Sequence, residues 1–67
     1  MLAGTVAEFD DPRGLGVVRA DDGIEYPFHC TQIADGTRTI AVDAPVSFET
    51  AASTLGRWEA RNIVPRS

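Results

Sequence analysis

Two clusters of turn-forming residues near the start of the chain constrain the fold more than any other feature. "DDPRG" fills residues 10–14 and "DDG" fills 21–23, so only the alternating stretch Leu15–Ala20, "LGVVRA", lies between them. Asp, Pro and Gly each supply a backbone conformation that turns require, and Asp-Gly is the strongest short signal for a hairpin. The rest of the chain is divided in the same way. "LAGTVAEF" (2–9) mixes β-branched and apolar residues ahead of the first cluster. "IEYPFHC" (24–30) places Tyr26 and Phe28 on one face of a strand and Pro27 and His29 on the other. In "APVSFETAA" (44–52), Val46 and Phe48 alternate with Ser47 and Glu49, and "RWEARNIVP" (57–65) follows the loop "STLG". "TQIADGTR" (31–38) has a cap at Thr31 and a stop at Gly36, which predicts one helical turn near residues 31–35 and no more.

Five short strands with Gly-rich turns and no helix-length apolar period predict a small all-β domain over residues 1–67. Closing the sheet into a barrel removes exposed edges, and the pattern fits an OB-type or an SH3-like barrel equally. At 67 residues the chain buries only about 60% of the surface its unfolded form exposes, so the core supplies roughly 3–5 kcal/mol. The hydrophobic fraction of 43% is that of a globular chain. No apolar run reaches the roughly 20 residues of a membrane helix. No basic region followed by a long apolar stretch opens the sequence, so neither membrane nor signal peptide is expected. Cys30 is the only cysteine; it precludes an internal disulfide and fits a reducing cytoplasm. Ten Asp and Glu face six Arg and no Lys. That balance argues against a binder relying on charge alone, but leaves open binding by stacked rings.

On these residues the chain resembles the bacterial cold-shock domain family over nearly its whole length. "GTVAEFD" is similar to the family's opening strand, and "RGLGVV" to its first ribonucleoprotein motif, usually K-G-F/Y-G-F-I. "DDG" matches the hairpin that follows, and "YPFHCTQI" resembles the second motif, usually V-F-V-H-x-S-x-I. "VSFE" and "EARNI" resemble the closing strands. The resemblance implies a five-stranded antiparallel OB-fold barrel that binds single-stranded RNA or DNA on the face carrying both motifs. It also exposes departures. Glu8 stands at the family's first-strand Trp position, Leu15 and Val17 at the rings of the first motif, and Pro27 at the ring of the second. Cys30 replaces the ring after the histidine, and Thr37 a loop ring. His29 stays in place, Arg13 stands for the usual Lys, and Phe9 lies at the edge of the face. A base stacked on a ring is worth about 1–3 kcal/mol, so losing three platforms costs at least about 3 kcal/mol, roughly 100-fold in affinity.

The candidate nucleic-acid-binding residues are therefore Phe9, Arg13, Gly14, Leu15, Gly16, Val17, Pro27, His29, Arg57 and Trp58. Gly14 and Gly16 allow close backbone approach to a nucleotide, or serve a tight turn and a strand bend. His29 can stack or donate to phosphate, and Arg13 can meet phosphate. Trp58, next to Arg57, replaces part of the lost stacking surface or packs over one end of the barrel. Arg19, Arg38 and Arg61 read as surface charges, and Tyr26, Phe28 and Phe48 as core. Glu8, Asp10 and Asp11 repel phosphate. One Cys beside one His makes no metal set. No catalytic spacing and no phosphate-cradling loop point to an enzyme or a cofactor. Two function classes follow: a weak, sequence-tolerant single-strand binder, or an OB scaffold for protein contact. In the second, the apolar patch Leu15, Val17 and Pro27 meets another protein or a second copy in a homodimer.

Overall fold

The computed structural model describes residues 1–34, 36, 39–52 and 56–66. Thr37, Arg38 and most of the "STLG" loop lie outside the described residues. The strands are β1 (Leu2–Asp10), β2 (Leu15–Ala20), β3 (Glu25–His29), β4 (Pro45–Ala52) and β5 (Trp58–Pro65). They form one antiparallel sheet in the order β3-β2-β1-β4-β5. The two edge strands β3 and β5 come into contact. A parallel bridge joins Ile33 to Ile63, and the Ala34 N–H donates to the Ile63 carbonyl at 2.8 Å.

The turns follow the sequence. Between β2 and β3, the Gly23 N–H donates to Ala20 O at 2.9 Å, Ala20 N–H to Ile24 O at 2.8 Å, and Ile24 N–H to Asp22 Oδ1 at 2.9 Å. The helical turn is a 3-10 turn over Cys30–Gln32, one residue earlier than expected, and its N-cap is His29, not Thr31. The start is moved by Cys30, whose N–H is tied to the Gly14 carbonyl at 2.7 Å. That bond fixes the chain at the end of β3, and the His29 ring then accepts the Thr31 N–H.

The core is one cluster of Val6, Val18, Ala20, Phe28, Ile33, Val46, Phe48, Ala60 and Ile63. Two bulges shape what faces it. The β1–β2 register shifts between Val6 and Glu8, leaving Ala7 as the extra residue. Beyond it, Glu8 opposes Val17 on the outer face, and Phe9 opposes buried Gly16 on the inner one. The second shift lies between Ser47 and Glu49 of β4, opposite Asn62, whose φ is 50°. It lets Ala60 and Ile63, three positions apart, both be buried at 0% exposure. A bulge adds one residue to one strand and so reverses the alternation beyond it.

Candidate functional site

The register lays out the outer face of β1–β2–β3 as three cross-strand rows. They are Asp10–Leu15–His29, Glu8–Val17–Pro27 and Thr5–Arg19–Glu25. Apolar residues hold the middle, with Leu15 46% exposed. Along β1 stand Glu8 and Asp10. An open groove of about 770 Å³ runs here, lined by Phe9, Leu15, Gly16, Val17, Pro27 and Phe28 and bordered by Glu8, Asp10, Asp11 and Arg13.

Phe9 and Phe28 form its floor. Their rings lie parallel within 10°, with centroids 6.0 Å apart. Gly16 sits against them: a Cβ there would fall 2.5 Å from Phe28 Cζ and 2.8 Å from the Glu8 carbonyl oxygen. The glycine is required by packing, because real side-chain carbons do not approach so closely. Gly14 is buried with φ +66°. Its N–H donates to Asp10 O at 2.8 Å, and its carbonyl accepts from Cys30. Both of its backbone groups are thus engaged within the protein.

Three of the five described arginines are engaged as well. Arg13 Nε lies 3.6 Å from Asp10 Oδ2, Arg19 Nη2 2.8 Å from Glu25 Oε2, and Arg61 Nη2 3.0 Å from Glu59 Oε1. Arg57 has no ion pair or side-chain hydrogen bond among the described residues. His29 is exposed, and its Nδ1 accepts the Thr31 N–H at 3.2 Å. The same Nδ1 lies 3.0 Å from Thr31 Oγ1, so His29 is held at the end of the Asp10–Leu15–His29 row.

A second groove, about 680 Å³, follows the seam between the edge strands. Ile24, Glu25, Tyr26 and Pro27 line one side, and Thr50, Gly56, Arg57 and Trp58 the other. By alternation Trp58 shares a face with Ala60, and the outward pair Glu59 and Arg61 bond to each other. Ala60 is fully buried, yet Trp58 begins the strand beyond the core and is 60% exposed. The ring is an exposed group of the seam. Pro27 lines both grooves, so the seam is continuous with the β1–β2–β3 face.

Of the sequence-predicted residues, Phe9, Arg13, Leu15, Gly16, Val17 and Pro27 come together in the first groove, and Arg57 and Trp58 join Pro27 in the second. His29 stands beside Leu15 at the margin, and Gly14 lies beneath. Five seam residues were not anticipated: Glu25, Thr50, Gly56 and the two large side chains Ile24 and Tyr26. Ile24 is 53% exposed. Tyr26 is half-buried, its ring tilted against Phe48 at 5.7 Å. An isoleucine directly after a hairpin glycine was the signal for Ile24; nothing in the sequence marks Tyr26 as reaching the surface.

The described residues hold no cluster of His, Cys, Asp and Glu suited to a metal ion. No described helix is long and apolar enough to cross a membrane. Comparison with known proteins gives no relative: no family model matches the chain, and no curated protein matches it.

Proposed function

We propose that this chain is a divergent relative of the cold-shock domains, its sheet rolled as a five-stranded OB barrel, and that it binds single-stranded RNA or DNA weakly and with little sequence preference. One observation carries the reading. Trp58 is 60% exposed beside Arg57, which has no ion-pair partner among the described residues, in a groove that shares Pro27 with the β1–β2–β3 face. An exposed indole next to a free guanidinium is suited to one stacked base and its phosphate, and stacking tolerates any base because each has a π-face. The contact between β3 and β5 supports the rolled sheet. The strand follows the seam past Pro27 towards the exposed His29 ring, away from Glu8 and Asp11. Half-buried, unpaired Cys30 fits action in a reducing cytoplasm.

Affinity is low because Leu15, Val17 and Pro27 offer no rings. The salt dependence is shallow because it scales with the phosphates neutralised, and Arg13, Arg19 and Arg61 already hold carboxylates. The test is tryptophan emission during titration with short single-stranded oligonucleotides at low and moderate salt, with amide shifts of Arg57 and His29 recorded alongside. Emission is expected to be quenched saturably, and Trp58→Ala to weaken binding about 5- to 150-fold, the equivalent of roughly 1–3 kcal/mol, with the fold intact. Unchanged emission and amide positions at millimolar oligonucleotide would sink the proposal.

A further inference from the structure

The β1–β2 groove has a character opposite to that of the seam. Its walls are apolar, with Leu15, Val17 and Pro27 in one patch. Its border carries Glu8, Asp10 and Asp11 against the single cation Arg13, which lies on Asp10 at 3.6 Å. Glu8 and Asp11 have no ion-pair partner among the described residues. The backbone adds a third feature. β4 pairs with β1 only over Leu2–Thr5, and the turn before β4 bonds to Val6 through Asp43 and Ala44. From Glu8 to Asp10 the strand therefore has β2 on one side and no strand on the other among the described residues.

We propose that this groove docks an extended peptide segment in which an apolar side chain is flanked by arginine or lysine. The apolar side chain enters between Leu15, Val17 and Pro27. The cations meet Glu8 and Asp11, and the segment lies across the outer face of β1–β2–β3, leaving it over the open side of β1. Charge selects this occupant. A nucleic-acid strand would set phosphates against three carboxylates, and a second copy of the chain would bring two acidic borders together, where like charges across an interface disfavour pairing.

The probes are a pentapeptide alternating arginine with leucine, the same peptide with glutamate for arginine, and an oligothymidylate, each titrated into the isotope-labelled full chain. The basic peptide is expected to move the Leu15 and Val17 amides saturably, and the acidic peptide to leave them in place. Glu8→Gln and Asp11→Asn should each weaken the basic peptide up to about fivefold, as loss of an exposed ion pair does. Leu15→Ser, at an exposed position, should remove most of the shift, and the amide spectrum of each variant reports that it is folded. Equal binding of the acidic peptide, or parental affinity in all three variants, overturns the proposal. Oligothymidylate moving the same amides reassigns the groove to nucleic acid. Shifts that appear on raising protein concentration alone reassign it to a second copy. Trp58 emission, read in the same samples, reports the seam separately, so failure of one proposal is not mistaken for failure of the other.

Discussion

The groove over β1 and β2 and the seam between β3 and β5 meet at Pro27 and are built from different materials. The floor of the groove is also the edge of the core: Phe28 is 3% exposed, Phe9 lies against it, and Gly16 leaves room for both. The seam owes its largest ring to Trp58, which begins its strand past the last buried side chain of β5. A surface made from core residues cannot be altered without a cost in stability, whereas a ring standing outside the core can be removed freely. Charge divides the regions too: carboxylates border the groove, while the one described arginine of the seam, Arg57, has no ion-pair partner among the described residues.

The contrast is tested most strongly by a pair of truncations. Phe28→Ala is expected to lose about 3–5 kcal/mol, as large-to-small changes at buried aromatic positions do. That is comparable to the whole stability of so small a domain, so the variant should show no cooperative denaturant transition. Trp58→Ala should stay within roughly 0.5 kcal/mol of the parent in the same measurement, as surface substitutions usually do. Similar losses in both variants would end the distinction between load-carrying floor and free-standing ring. Second in size is binding: Trp58→Phe should keep most of the oligonucleotide affinity that Trp58→Ala loses, because any aromatic face can stack. Equal losses in the two would mean that the indole N–H, and not stacking, makes the contact.

Smaller effects separate the arginines. Arg57→Gln should flatten the slope of log affinity against log salt by about 0.7, the share of one phosphate in single-strand binding. Arg13→Gln should leave the slope unchanged, because its guanidinium is held by Asp10. A flatter slope in the Arg13 variant would draw the strand into the acidic groove. Smallest is the change at Glu25, which pairs with Arg19 at 2.8 Å and lines the seam. Glu25→Gln should cost less than about 1 kcal/mol in a denaturant titration, since the pair is exposed. By releasing Arg19 it should also tighten oligonucleotide binding several-fold, and weaker binding would show that the strand passes elsewhere.

Strand positions were legible because turn chemistry is local. "DDPRG" and "DDG" end β1 and begin β3 through bonds within a few residues, and the alternation in "YPFH" buries Phe28 while exposing Pro27 and His29. The inventory of the candidate site was legible for the same reason: Trp58, Arg57, Leu15 and Val17 stand out by residue type alone. Which way several of them face was not. Strict alternation from buried Val6 would turn Glu8 inward and Phe9 outward, and only the bulge at Ala7 reverses them. In β5 the same alternation from Ala60 would bury Asn62 and expose Ile63, until Asn62 takes a φ of 50° and turns Ile63 into the core.

The sequence by itself determined five strands, the turns that flank β2, the burial of Phe28 and Phe48 and the acidic balance, because each of these is a property of neighbouring residues or of composition. The tertiary structure decided which strands are neighbours, that β3 and β5 come into contact so that Pro27 and Trp58 line one groove, and which described arginines are held by carboxylates. Those outcomes depend on contacts between residues far apart in the chain, and on bulges that are set by how two strands fit together rather than by either strand alone.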